Sequence, residues 1–362
     1  MRNPLARRCA AGAALTLALS VSPAVTAGSR FPVTPNDPLF EKQWGMVKIQ
    51  APEAWQIATG RGIKIAFVDS GIDLDHEDFD CPGKIEVLPG SNLGGKRPDH
   101  PNDTYGHGTF VGAIAGACTN NGTGVVGVAP DATLVPVSVM PYLDDDPIPM
   151  DKAMAEGIRF ATKAGAHVIN LALGENVTAH LGAQRFPLTE AALTKARAKG
   201  VVIASAAGNY AQPTCEYPSM SRHVICVVAT DEDDLRAAYS DAPVNMDPNS
   251  ERPRMEPVVA APGGRGAACA TNVYSAWADE GSTCADGKYT SLFGTSASAP
   301  HVAGIAALLY EQLGGVRSDE HADLITQTIL DTADDLYSPG WDPVVGFGRV
   351  NALKAVQALP SG

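Results

Sequence analysis

The sequence predicts an α/β fold, a mostly parallel central sheet with helices on both faces. Three features carry this. Short runs rich in β-branched residues recur from about residue 45 onward, longer amphipathic patterns separate them, and those patterns stop at glycine. A parallel sheet is covered on both sides, so its strands read as nearly continuous apolar runs. "IKIAFVDS" (63–70), "TLVPVSVM" (133–140), "AHVINLAL" (166–173), "VVIASAAG" (201–208) and "HVICVVAT" (223–230) have that form. Between them, "DKAMAEGIRFATKAG" (151–165) and "LTEAALTKARAKG" (188–200) place apolar residues on one helical face and end at Gly165 and Gly200. "TFVGAIAGA" (109–117) and "VAGIAALLY" (302–310) have the period of buried helices. In such a sheet, function collects at the carboxyl ends of the strands.

The 362 residues are 45% hydrophobic, enough to bury one large core, and no internal repeat or low-complexity linker divides them. A net charge of −13 argues against a nucleic-acid partner, because phosphate binding needs a basic face. The start reads as a targeting segment: a basic "MRNPLARR", an apolar "CAAGAALTLALSV" and a small-residue "AVTA" predict a secretory signal peptide over 1–27, cleaved after Ala27. Residues 28–36 form a short extension with no room for a folding pro-domain, and 37–362 form the main domain. No later stretch is long and apolar enough for a membrane span. Export leaves six cysteines, Cys81, Cys118, Cys215, Cys226, Cys269 and Cys284, for which disulfides are expected over a zinc site, since no Cys-x-x-Cys occurs.

Four residues at strand ends or helix starts bear chemistry. "FGTSASAPH" places Ser296 among small residues just before an apolar helix, where the plain alternative is an N-cap. Asp69 ends the first strand, His107 stands between two glycines in "GHGTFVG", and Asn209 follows "SAAG". Singly, each reads more readily as a turn, cap or core residue. Together they supply a hydroxyl, a base, an acid and an amide donor, the inventory of nucleophilic acyl transfer. A serine hydroxyl needs a base to take its proton, and imidazole needs a carboxylate to fix its tautomer and stabilise the cation. The oxyanion that forms needs donors already aimed at it, here the Ser296 N–H and the Asn209 amide.

The segments "FVDSGID", "GHGTFVGAIAG", "AAGN" and "GTSASAPHVAG", in the order Asp, His, Asn, Ser, resemble the subtilisin-like serine peptidases, or subtilases, across residues 37 to 355. The opening "TPNDPLFEKQWGMVKIQAPEAW" is similar to the thermitase branch. The resemblance implies a subtilisin-like three-layer fold and a secreted, monomeric serine endopeptidase that acts on polypeptides through an acyl-enzyme intermediate. Ala297 and Phe110 depart from the family pattern, standing where many members have Met and His. The esterase alternative uses the same chemistry, but "GTSAS" does not match its Gly-x-Ser-x-Gly elbow. A catalytically silent binding protein would lack one of the four residues.

The resemblance also implies further sites. A structural calcium ion is expected between the carboxylates of Asp37 and Asp78, the Asn121 side chain and the carbonyls of Thr119, Thr123 and Val125, a donor mix that suits a hard cation. The same run, "GTGVVG" (122–127), matches a dinucleotide fingerprint in letters only, since it neither follows a predicted strand nor opens a helix. The primary specificity pocket is expected between Ala172, Leu173 and Gly174 on one wall and Ala206, Ala207 and Gly208 on the other, with Glu216 at its floor before Tyr217-Pro218. Many relatives have Gly or Asn at that floor, so a carboxylate there implies some preference for Arg or Lys before the scissile bond, unless Glu216 turns out to solvent. If Asp78 and Thr119 share an ion, Cys81 and Cys118 lie close enough to bridge. Proximity in sequence pairs Cys215 with Cys226 and Cys269 with Cys284.

Overall fold

A computed structural model describes residues 33–93, 100–139, 149–175, 182–243, 257–278 and 282–359. The expected signal peptide, Cys9 and most of the 28–36 extension lie outside the described residues. In chain order the elements are α1 (Trp44–Lys48), α2 (Ala51–Ala54), β1 (Lys64–Asp69), α3 (His107–Gly116), β2 (Thr133–Ser138), α4 (Met150–Lys163) and β3 (Val168–Leu171). There follow α5 (Gly182–Arg185), α6 (Pro187–Arg197), β4 (Val202–Ala206), β5 (Ile225–Thr230), β6 (Val258–Pro262), β7 (Val273–Ala276) and β8 (Tyr289–Leu292). The chain ends with α7 (Thr295–Gln312), α8 (Asp319–Asp331) and α9 (Ala352–Ala358).

Six strands form one parallel sheet in the order β2-β1-β3-β4-β5-β6, and β7 and β8 form an antiparallel pair. The five expected strands and both amphipathic helices form where the pattern placed them, within a few residues at each end. Alternate residues of β1 face opposite sides: Ile65 and Phe67 pack with α3 and α7, whereas Ala66 and Val68 pack with α4 and α6. Both faces are therefore dry, which is why the strands carry no polar alternation. Each large aliphatic or aromatic side chain fully buried in this way stabilises the fold by about 1.5–3 kcal/mol over its exposed state. Helix α7 crosses the sheet with Val302, Ile305, Leu308 and Leu309 all without solvent exposure, and a helix apolar all round is one that the core encloses. Among the described residues, no helix is long and apolar enough to cross a membrane.

Strand β6 and the β7-β8 pair escape the sequence pattern, as do helices α1, α2, α5, α8 and α9. Strand β6 ("VVAAP") is short and alanine-rich and ends in a proline, and it is made a strand by its ladder with β5. It lies at the sheet edge, as does β2 with Pro136, and edge strands tolerate the N–H that proline lacks. The β7-β8 pair was likewise not expected.

Cys81–Cys118 and Cys269–Cys284 are disulfides, as anticipated. The expected third bridge does not form: Cys215 and Cys226 are buried thiols in one small apolar cluster with Ala207 and Val228. Cys226 is fixed in β5, and the Cys215 thiol donates instead to the Ala242 carbonyl at 3.6 Å. Burial, then Cys226, Asp241 and Glu216, push the Cys215 thiol well above its ordinary value. The thiolate needed for disulfide exchange is thereby suppressed.

Candidate active site

The carboxyl edge of the sheet collects the four candidate residues. Asp69 is the last residue of β1 and has no solvent exposure. Its Oδ1 accepts the Ser70 N–H at 2.7 Å and the Ser70 hydroxyl at 3.3 Å, and lies 2.8 Å from His107 Nδ1. Nδ1 is thus committed to the carboxylate, which leaves Nε2 for proton transfer. Burial opposes a charged imidazole, but the charge of Asp69, its hydrogen bond and the more distant Asp103 outweigh it and hold His107 above the ordinary histidine value.

His107 opens α3, and that helix start is built from residues the sequence reading passed over. Asp103 Oδ1 accepts the N–H groups of Tyr105 and Gly106, and Oδ2 accepts the N–H and hydroxyl of Thr109, all at 2.8–2.9 Å. One buried carboxylate therefore satisfies donors that the first helical turn leaves without intrahelical partners. Its signal was present in Asp103 lying two to six residues before those donors. Ser70 accepts the Gly108 N–H at 2.8 Å and so ties β1 to α3. Gly108 must be glycine: a Cβ there would fall 2.0 Å from the Gly71 carbonyl oxygen. Phe110, a departure from the family pattern, meets Trp277 edge-on with centroids 6.3 Å apart, and the same indole lies against Gly106.

Ser296 is not an N-cap. Gly294 holds that position, α7 begins at Thr295, and the half-buried Ser296 hydroxyl donates to the Ala172 carbonyl at 3.2 Å. It makes no hydrogen bond to His107 in this state. Asn209 follows β4, and its Oδ1 accepts the N–H of Thr295 at 2.8 Å and the Thr295 hydroxyl at 3.1 Å. With Oδ1 so engaged, the NH₂ end points elsewhere. The position a Cβ would take on Gly294 lies 3.6 Å from both Nδ2 and Oδ1 of Asn209 and 3.7 Å from the Ser296 nitrogen, so the amide and the Ser296 N–H border one small space at the positive end of a helix.

A family model described as the subtilase family matches residues 60–348. This chain belongs to the subtilase family. Among its relatives is thermitase of Thermoactinomyces vulgaris, 38% identical over 331 residues, covering 90% of this chain and 99% of the relative. Subtilisin BL of Lederbergia lenta is 34% identical over 316 residues, covering 87% and 98%. A solved structure titled for proteases from Pseudoalteromonas arctica superposes with a TM-score of 0.72 at 31% identity, covering 90% of this chain and 99% of that one. The protein is a subtilisin-like serine endopeptidase and acts on polypeptides.

Strands β3 and β4 pair in parallel, with Leu171 opposite Ser205, so the segments that follow them stand side by side. Ala172 follows β3, Ala206 ends β4, and the Ala207 N–H donates to the Val227 carbonyl at 3.0 Å. Backbone bonds tie the segment around Glu216 to both: the Glu216 N–H donates to the Ala207 carbonyl at 2.7 Å, and Tyr217 exchanges bonds with Glu175, just beyond Leu173 and Gly174. Glu216 does not turn out to solvent. Only 9% of it is exposed, and a Cβ on Gly174 would fall 2.2 Å from its Oε1. Burial first, and the charge of Asp241 second, push the Glu216 carboxyl up to about 8.

The run expected to bind calcium lies after α3 and follows a helix rather than a strand, which removes the dinucleotide reading. Asp37 accepts the N–H groups of Asn120 (2.7 Å) and Asn121 (3.4 Å), Asn121 Oδ1 accepts the Thr123 N–H at 2.9 Å, and Asp78 accepts the Val125 N–H at 3.2 Å. Thr119 Oγ1 accepts the Gly127 N–H. Burial, with lesser contributions from Glu77 and Asp37, raises the Asp78 carboxyl to about 8, and burial also raises Asp37. Neither carboxylate pairs with a lysine or arginine among the described residues. Nor does any cluster of three or more His, Cys, Asp or Glu side chains form there that would hold a metal. Two buried carboxylates, an amide and nearby carbonyls fit a hard cation such as calcium, and not a thiolate- or imidazole-seeking one.

Proposed function

We propose that Ser296 is the nucleophile, His107 the general base and acid, Asp69 its orienting carboxylate and Asn209 an oxyanion donor in peptide-bond hydrolysis. The 2.8 Å contact between Asp69 and His107 Nδ1, which leaves Nε2 free for proton transfer, is the observation that carries the reading. Rotation about χ1 turns the Ser296 hydroxyl from the Ala172 carbonyl toward His107 Nε2. As Oγ bonds to the substrate carbonyl carbon, its proton passes to Nε2, and Asp69 stabilises the imidazolium. The carbonyl oxygen takes up the negative charge and is met by Asn209 Nδ2 and the Ser296 N–H. Collapse expels the amine, which receives the proton from Nε2, and leaves an acyl-serine. Water, deprotonated by the same nitrogen, repeats the attack and releases the acid.

In this reading residues 1–27 direct export, 28–36 are a short extension, and 37–362 are the catalytic domain of a secreted, monomeric enzyme. Calcium held by Asp37, Asp78, Asn121 and the carbonyls of Thr119, Thr123 and Val125 pins the loop after α3. Ala172, Leu173, Gly174, Ala206, Ala207 and Gly208 wall the primary pocket, and the inward carboxylate of Glu216 favours Arg or Lys before the scissile bond.

Replacing Ser296 by Ala tests the assignment. Hydrolysis should fall by about a millionfold, the scale on which the subtilisin triad acts as a unit, with the melting temperature unchanged. A Ser296→Ala protein still labelled by a serine-directed phosphonate would refute it.

A further inference from the structure

A second carboxylate stands behind the first. Asp241 has no solvent exposure, and its Oδ1 accepts the N–H groups of Tyr210 (3.0 Å) and Gln212 (2.7 Å). Its Oδ2 is buried and has no hydrogen-bond partner among the described residues. That oxygen is aimed at the pocket wall: a Cβ on Gly208 would fall 2.1 Å from Asp241 Oδ2 and 3.1 Å from Glu216 Cγ. The Asp241 N–H is itself bonded to the Gly208 carbonyl at 3.0 Å, so wall and carboxylate hold one position. The Glu216 carboxylate likewise makes no hydrogen bond among the described residues.

An unpartnered buried carboxylate oxygen is costly, and two carboxyl groups sharing one dry space cannot both ionise cheaply. The other groups that face the pair do not relieve it. Cys215 and Cys226 are buried free cysteines that supply no cation, and Arg236, which acts on Asp241 through space, spends its guanidinium on the Ser240 carbonyl. The arrangement lacks one thing, a positive charge entering between the glycine walls.

We propose that Asp241 is a second specificity carboxylate, which together with Glu216 receives the cationic end of the substrate side chain preceding the scissile bond. The inference rests on the basic preference proposed above and extends it. Two acceptors on separate residues suit a forked guanidinium better than a compact ammonium, so arginine is favoured over lysine. Entry of the cation also lets both carboxyl groups ionise. Binding is therefore linked to proton release, because Glu216 holds its proton up to about pH 8 and burial raises Asp241 as well.

The test measures kcat/KM on matched peptides with Arg, Lys, Leu or Phe before the scissile bond, for the intact protein, Asp241→Asn and Glu216→Gln, across pH. Taking the Arg-to-Leu ratio cancels the titration of His107, which both substrates share. The ratio is expected to favour Arg and to rise with pH through about 8 in the intact protein. Asp241→Asn should lower it about tenfold, the scale of one charge-assisted hydrogen bond, leave Leu turnover in place and move the pH limb downward by removing the neighbouring charge. A ratio and limb unmoved by Asp241→Asn but lowered by Glu216→Gln overturn the role of Asp241 alone. Equal losses on Arg and Leu overturn it too, as a structural effect. A profile led by Leu or Phe in the intact protein overturns the basic preference itself, and this inference with it. Benzamidine inhibition of the intact protein, read on the Leu peptide, is independent of how any variant folds. Tightening with pH through the same range is expected, and pH-independent inhibition overturns the proposal.

Discussion

Asn209 Oδ1 accepts two hydrogen bonds from Thr295, one from its N–H at 2.8 Å and one from its hydroxyl at 3.1 Å, across 86 positions of sequence. Thr295 precedes the proposed nucleophile and is fully buried. The two bonds lock the amide with its NH₂ end outward, so the donor is in place before charge develops and no reorganisation accompanies the reaction. Asn209→Ala is expected to lower kcat about 100- to 1,000-fold with little change in KM. Thr295→Val removes the hydroxyl bond to the amide, and with it the acceptor of the Gly208 N–H at 3.1 Å, so the amide is freer to turn and a smaller loss in kcat is expected. Steady-state kinetics on one peptide checks both, and a KM effect without a kcat effect in either variant would contradict the assignment.

Gly108 governs where His107 sits. Because an added Cβ would meet the Gly71 carbonyl at 2.0 Å, and that carbonyl belongs to backbone, Gly108→Ala must push α3 away from the turn after β1. The overpacking should cost about 1–3 kcal/mol of stability, read by denaturant unfolding. The displaced imidazole should cost about a hundredfold in kcat as well, since shifts near 1 Å have that effect. Full activity in a correctly folded Gly108→Ala protein would show that the contact does not position the base.

The pH profile follows from the sign of the His107 shift. The base must be neutral to take the serine proton, and its value lies above the ordinary 6.5 because Asp69 overrides burial. Activity on a peptide with Leu before the scissile bond, which does not engage Glu216, is therefore expected to rise with pH along a limb centred above 6.5. Asp69→Asn should move that limb down and cut kcat by about 10,000-fold, through loss of the correct tautomer. A limb at or below 6.5 in the intact protein would contradict the geometry.

The loop after α3 gives a prediction about metal removal. A ligand bound only by the folded state stabilises it by mass action, so excess chelator should lower the melting temperature and added calcium should restore it. Asp78→Asn should abolish the response, because it removes the charge that a cation would compensate. An unchanged midpoint in chelator would count against the calcium reading.

Much of this protein is determined by local sequence. The continuous apolar runs of β1 to β5 and the stripes of α4 and α6 report burial that any packing partner would impose, so their periods predict the sheet and its two helical layers. Asp69, His107, Asn209 and Ser296 were legible for a related reason: each stands at an element end whose signal, a strand limit or an apolar helix, lies within a few residues of it. Tertiary structure decided the rest. Strand β6 exists through its ladder with β5, and the inward turn of Glu216 through backbone bonds to Ala207. The buried thiols of Cys215 and Cys226 stayed unpaired although sequence proximity suggested a bridge. Thr295 and Asp241 carry no local mark of their tasks, since each acts on groups 86 and 31 positions away that only the folded chain brings within hydrogen-bond range. Periodicity encodes which side of an element is dry; which polar groups meet there depends on the packing of elements distant in sequence, and that information is absent from any one segment.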